Sequence, residues 1–314
     1  MTLAPPAPPV VGSVRSRRPG RRPKRPVATG QQARMSYVFV SGYTVLAVAF
    51  GLVPTLYALY LSVMRDGRFV GVDNFVRVVG DFRFLPAVQH VALFVAIWLT
   101  CLLAFVVVLA LVVHSIGQRW LSSSIRFIYY IPGALAGASS VVLWLFLLDP
   151  TVSPVSAVLH LFGLETFVQT VSPGNLPVIF AIIAFWTGAG GWIVVMYGAL
   201  NNIPREVMEA ARIDGAGPIR TARHIQLPMM RKWISYMAIM SLAAGTQLFV
   251  EPRVLSQASK GVVPIDYSLN QLAYLYAFKQ NDNNGSAAIA VLLLVVSLAL
   301  SMFFVIKGGL FERD

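Results

Sequence analysis

Residues Glu209–Pro228 read EAARIDGAGPIRTARHIQLP, a polar, charged island in a chain of 314 residues that is 57% hydrophobic and 12% charged. On both sides the sequence turns apolar. Thr166 to Pro204 before the island and Trp233 to Val250 after it contain no Asp, Glu, Lys or Arg. The same is true of Tyr37 to Met64, Phe84 to Gln118, Phe127 to Leu148 and Asn283 to Ile306. A hydrocarbon core of about 30 Å takes about twenty helical residues, so each stretch can cross once, with Trp233 to Val250 near the minimum. The runs lack the alternation of barrel strands, and lipid otherwise admits only helices that close their own backbone hydrogen bonds. The fold class expected is all-α, a polytopic membrane protein with six transmembrane helices.

Six crossings put both termini on one side, and the basic residues say which. That side would hold eighteen Lys and Arg, including Arg15 to Arg34, Arg119, Arg126, the six of the 201–232 loop, Lys307 and Arg313. The other would hold seven: Arg65, Arg68, Arg77, Arg83, Arg253, Lys260 and Lys279. The positive-inside rule then makes both termini and the island cytoplasmic. Residues 1–35 combine seven prolines with eight basic residues and no acid. Such a composition cannot build a packed core and reads as a disordered tail held against anionic headgroups rather than nucleic acid. The domain reading is this tail, a transmembrane domain over 36–310 and a short cytoplasmic end at 311–314.

What the chain lacks narrows its function. The phosphate-cradling G-x-x-x-x-G-K-[ST] loop is nowhere in the sequence, so ATP is not bound by that route. The stretches as bounded above carry no carboxylate for proton or sodium coupling. His90, His114, His160 and His224 stand far apart, without a carboxylate or thiol at metal-ligand spacing. Cys101 is the only cysteine, so no disulfide forms within the chain. Gly137-Ala138-Ser139 would need a histidine at the same depth to act as a serine protease; small residues there more often let helices approach closely.

The island begins behind Asn201-Asn202-Ile203-Pro204, which reads as a helix start with Asn as the cap. Glu206 near the start and Arg212 near the end suit the helix dipole, and Asp214-Gly215 stops the helix. Ile203, Val207, Ala210 and Ala211 fall on one face. A bend over Gly215 to Pro218 and a second brief helix to about His224 follow, and Leu227-Pro228 leads into the fifth span. A helix pair this short gains order either in a partner's groove or lying in the headgroup layer.

Glu209-Ala210-Ala211, Gly215, Ile225 and Leu227-Pro228 stand at the spacing of the EAA signature of membrane subunits of bacterial ATP-binding cassette importers, which the chain resembles. Val70-Gly71-Val72-Asp73-Asn74-Phe75, Phe127-Ile128-Tyr129-Tyr130-Ile131-Pro132, Gly198-Ala199-Leu200 and Phe249-Val250-Glu251-Pro252 look like the maltose-type carbohydrate permeases, closest to the first of their heterodimeric pair.

The resemblance implies a multi-pass subunit of the bacterial cytoplasmic (inner) membrane that is not itself an enzyme and binds no cofactor directly. ATP-Mg would be hydrolysed by two copies of a separate ATPase. The loop 201–232 would carry the coupling helix, with Glu209, Ala210, Ala211, Asp214, Gly215, Ile225, Leu227 and Pro228 as its docking residues. Further partners would be a second permease, an extracytoplasmic binding protein touching loops 65–85, 149–176 and 251–283, and membrane lipid. Relatives carry a sugar-stacking Trp twelve residues before Gly-Ala-Leu, where this chain has Trp186. Cargo-path candidates are therefore Trp186, Gly188, Gly191, Trp192, Ser241, Gly245 and Gln247. Gly191 stands where relatives have a tyrosine, and Gly245 and Leu248 where they have asparagines, so the pocket differs from a maltose pocket. Close helix packing is the competing reading of the glycines. The cargo would be a sugar or oligosaccharide. The alternatives are a glycerol-phosphate ester, which would favour basic residues in the cavity, or a membrane enzyme or scaffold that borrowed the loop.

Overall fold

The computed structural model describes residues 30–135 and 137–307. It divides into two compact units, Met1–Pro54 and Thr55–Asp314. In the first unit helix α1 (Gly30–Ala47) begins inside the segment read as tail and passes into a π-helical turn, Val48–Leu52. The rest of the 1–35 tail reading, and the whole of 311–314, lies outside the described residues. Helix α2 (Val53–Val63) straddles the division, and the first candidate span, Val40–Val63, includes it.

The second unit continues with a two-stranded hairpin, β1 (Met64–Arg65) and β2 (Arg68–Phe69), and a short helix α3 (Asp73–Val79). Asn74, fully buried, ties the two together. Its Nδ2 donates to the Ser62 and Met64 carbonyls, both at 2.9 Å, and its Oδ1 accepts from Arg65 Nε at 3.0 Å and Nη2 at 2.7 Å. Replacing it with Ala strands two carbonyls and a guanidinium, so Asn74→Ala is expected to cost about 2–4 kcal/mol. An unchanged thermal midpoint of the variant in detergent would refute that role.

The long helix α4 (Phe84–Ser115) buries Ala87, Val91, Phe94, Trp98, Leu102, Val106, Ala110 and Val113. That spacing of threes and fours makes a single stripe. At 1.5 Å per residue the helix is longer than the hydrocarbon core is thick, so it tilts or protrudes. Helices α5 (Arg119–Ala134) and α6 (Gly137–Leu148) form a bent pair. The helical structure expected from Phe127 thus begins at Arg119, because Arg119 and Arg126 sit at the amphipathic end of α5 where long side chains can reach an interface. Two short helices, α7 (Ser156–Leu161) and α8 (Phe167–Thr170), precede α9 (Leu176–Asn201). The fourth span therefore begins ten residues later than the charge-free stretch does.

Helix α9 is the centre of the unit and packs against α4 and α5. Lipid tails are as apolar as leucine, so such contacts hold through close packing rather than expulsion of water. Two glycines permit the close approach to α5. A Cβ on Gly190 would lie 2.0 Å from the Tyr129 carbonyl oxygen, and one on Gly133 would lie 2.9 Å from the Thr187 carbonyl oxygen.

After the island come α13 (Arg231–Gly245), α14 (Val250–Ala258), α15 (Leu269–Phe278) and α16 (Asn283–Lys307). Among the described residues, four helices are long and apolar enough to cross a membrane, or up to six if each of the two bent pairs, α5 with α6 and α13 with α14, counts as one span. The fifth charge-free stretch ends at Val250. Helix α13 stops at Gly245, and the pair is completed by α14 at an angle of 41°. Glu251 and Arg253 thereby enter a candidate span, which corrects the expectation that the spans hold no carboxylate.

At one end of the unit α3, α4, α15 and α16 share a small core of Val78, Ala87, Leu272, Ala288 and Ile289. Ion pairs Arg77–Asp282 and Arg83–Asp81 and a 2.7 Å hydrogen bond from Tyr276 to Asp81 cover it. The Arg83 guanidinium holds the Asp81 carboxyl well below the usual carboxylate range. Burial, then the bond to Asp81, pushes the Tyr276 hydroxyl up to about 12.

Candidate functional site

Helix α10 (Arg205–Ile213) carries the first half of the island, with Glu206 in its first turn and Arg212 in its last. Its N-cap position is Pro204, with no side-chain cap, and Asn202 instead closes α9. The asparagine cap read from the sequence is therefore absent, because α9 runs on through Asn201. The buried face also shifts by one residue. Ala211 is buried, Val207 and Met208 are half-buried, and Ala210 is exposed.

Gly215 stands at φ +69° beyond the helix end. The Gly215 N–H donates to the Arg212 carbonyl at 3.1 Å and the Ala216 N–H to the Ala211 carbonyl at 2.9 Å. This is a Schellman termination, which needs a left-handed residue where glycine stands. The chain continues through α11 (Pro218–Thr221), a π-helical turn Ala222–Gln226, and α12 (Leu227–Met229). Glu209, Asp214, Gly215 and Pro228 are exposed, while Ile225 and Leu227 are half-buried. On either side of the turn two large apolar side chains, Ile213 at 87% and Ile219 at 85%, stand almost fully exposed.

A cavity of about 280 Å³ lies between α4, α9 and the break joining α13 to α14. Helix α4 supplies Phe94 and Trp98, stacked with ring centres 5.7 Å apart. Helix α9 supplies Ala184, Thr187 and Gly188. The break contributes Gly245, Gln247 and Leu248, and the first turn of α14 adds Val250 and Glu251. Thr246 holds the break in place, with its Oγ1 bonded to the Ala243 carbonyl and to Ser297 Oγ on α16, both at 2.9 Å.

Three of the sequence-derived candidates, Gly188, Gly245 and Gln247, meet at this cavity. Ala184, Thr187, Gly188 and Gly191 follow i, i+3, i+4 and i+7 on one helical face, and Gly191 is exposed with open space around it. Trp186 points from the other side of α9 and meets Trp144 edge to face at 5.7 Å. Trp192 meets Tyr236 at 5.8 Å, and Ser241 is buried with its hydroxyl unpartnered. A Cβ on Gly245 would lie 2.8 Å from Trp98, so the glycine is what lets α4 bring that ring to the cavity. Phe94, Trp98, Thr187 and Glu251 are not among the site candidates read from the sequence, although Glu251 belongs to the Phe249–Pro252 stretch that carries the resemblance. The aromatic pair at i, i+4 was a visible signal, but only the break between α13 and α14 brings Glu251 beside it.

Residues 96–308 match the family described as the binding-protein-dependent transport system inner membrane component. The chain belongs to that family. This inner-membrane permease is 30% identical over 286 residues, 87% of its length and 94% of the relative's, to the sn-glycerol-3-phosphate transport system permease protein UgpA of Escherichia coli O6:K15:H31. It is 24% identical, with 90% of each chain covered, to the arabinooligosaccharides transport system permease protein AraP of Halalkalibacterium halodurans. Its fold matches a crystal structure of a bacterial ABC transporter involved in the import of the acidic polysaccharide alginate, with a TM-score of 0.77 and 18% identity over 90% of the permease and 98% of that chain.

Proposed function

We propose that the permease forms half of the path of an ATP-driven importer for a sugar or oligosaccharide, pairing with a second permease and receiving cargo from an extracytoplasmic binding protein. The observation that carries this reading is the cavity. Aromatic faces of Phe94 and Trp98 beside Thr187, Gln247 and Glu251 suit a ring with C–H faces and hydroxyl edges. Trp186, Gly191, Trp192 and Ser241 would complete the path as helices move or where the partner permease closes it.

The island supplies the drive. Two copies of a separate ATPase would hold ATP-Mg, and each permease would dock through its own coupling helix, with Glu209, Ala210, Ala211, Asp214, Gly215, Ile225, Leu227 and Pro228 in the contact. Exposed Ile213 and Ile219 fit a partner's groove better than water. ATP shifts the inward–outward equilibrium only by its differential affinity for the two states. The permease itself performs no bond chemistry, crosses six times and keeps both termini in the cytoplasm.

The test begins with growth of a deletion strain on single carbohydrates, then measures uptake of the sugar so found. Relative to the amount inserted in the membrane, Trp98→Phe should lower uptake about tenfold and Trp186→Ala should also weaken it. Wild-type uptake by Trp98→Phe would remove the cavity from the cargo path, and wild-type uptake by Trp186→Ala would leave Trp186 as packing alone. The relationship to UgpA favours a second reading, a glycerol-phosphate ester as cargo.

A further inference from the structure

The cavity wall is electrically one-sided. Its polar lining residues are Thr187, Gln247, Trp98 and Glu251, and among the described residues no Lys, Arg or His lines it. Thr187 already donates its hydroxyl to the Ile183 and Ala184 carbonyls, at 3.0 and 3.2 Å. Trp98, only 6% exposed, keeps an indole N–H without a partner. Glu251 belongs to none of the ion pairs among the described residues, which join Arg77 to Asp282, Arg83 to Asp81 and His160 to Glu165. The closest basic residue in sequence, Arg253, is turned to a different task. Its guanidinium carbon lies 4.7 Å from the centre of the Tyr274 ring, which is not part of the wall. Glu251 occupies the first turn of α14, where free backbone N–H groups and the helix dipole favour negative charge.

One carboxylate without a cation treats guests differently. To sugar hydroxyls it is a charge-assisted acceptor. An anionic guest meets repulsion that a partly dry cavity screens less well than water does. We infer that Glu251 is a specificity-determining residue that admits uncharged, hydroxyl-rich cargo and rejects anionic cargo such as uronic-acid chains and phosphate esters. The inference rests on the cavity lying on the cargo path, and it sets the carbohydrate reading against the glycerol-phosphate one. In this respect the permease would differ from the relatives whose names specify sn-glycerol-3-phosphate or an acidic polysaccharide.

A charge probe tests the filter without any cargo. Gln247, exposed at the wall, is replaced by Cys in a chain whose single native cysteine is removed as Cys101→Ser. In membranes holding the complete transporter, the thiol is modified with a cationic trimethylammonioethyl and an anionic sulfonatoethyl methanethiosulfonate. The rate ratio is divided by that of a free thiol. It should favour the cation by about tenfold, survive Glu251→Asp and fall to near one in Glu251→Gln. A ratio unchanged by Glu251→Gln overturns the filter. A strain comparison separates the two layers of the argument: growth that depends on this permease with neutral oligosaccharides supports the cargo class. Dependence only on alginate oligosaccharides or glycerol phosphate overturns that class even with the ratio intact, and dependence on no carbohydrate overturns the proposed function as well.

Discussion

Gly190→Ala should lower the thermal midpoint of the detergent-purified permease by about 5–15 °C, or remove the folded fraction altogether. The added Cβ would meet backbone, not a movable side chain: the Tyr129 carbonyl oxygen at 2.0 Å, its carbon at 2.5 Å and Tyr130 Cα at 2.7 Å. Helices α5 and α9 would have to separate along the crossing that Gly133 shares. Overpacking of this kind costs about 1–3 kcal/mol and more where backbone must move, and a domain of this size shifts its midpoint by about 2–4 °C per kcal/mol. Gly191→Ala is the control, since nothing lies within 4 Å of a Cβ there. Equal midpoints for the two variants would mean that the α5–α9 crossing tolerates the strain.

Gly215→Pro should abolish uptake, with a fall of about a hundredfold or more, while the protein still inserts and the transporter still turns over ATP at its basal rate. Proline locks φ near −65°, whereas Gly215 stands at +69° and donates its N–H to Arg212. The Schellman termination is lost, and the chain leaves α10 in another direction. Ile213 and Ile219 would then no longer present the same exposed pair to a partner. Insertion should survive because the charge-free stretches are untouched. Gly215→Ala, which can still donate the N–H but pays a left-handed penalty of about 1–2 kcal/mol, should fall between the two. Wild-type uptake by the proline variant would count against docking through this turn.

Both variants sit at glycines, and the two glycines were not equally legible. Gly215 announced itself through Asp214 before it and the end of an amphipathic run, because a helix stop is a local event written in adjacent residues. Gly190 stands between Gly188 and Gly191, and of the three only Gly188 and Gly191 are cargo-path candidates from the sequence, with close helix packing as the competing reading. The three have separate fates: Gly190 is filled by the backbone of α5, Gly188 lines the cavity and Gly191 faces outward. Nothing within Trp186–Trp192 encodes that division, since it depends on which neighbour crosses which face.

The helical class, the apolar stretches and the place of the island followed from the sequence alone. Each depends on a free energy that a short segment carries by itself: transfer of an apolar run into lipid, a left-handed turn at glycine, charge at a helix end. The cavity wall is of another kind. Phe94 and Trp98 on α4, Thr187 on α9 and Glu251 on α14 are separated by up to half the chain, and they meet only because α13 breaks after Gly245 and leaves room for an indole. Which side of α9 faces that space, and which charge stands at its edge, are properties of packed neighbours. Tertiary structure alone decided them, because contact between distant residues is fixed by the shape of everything packed around them.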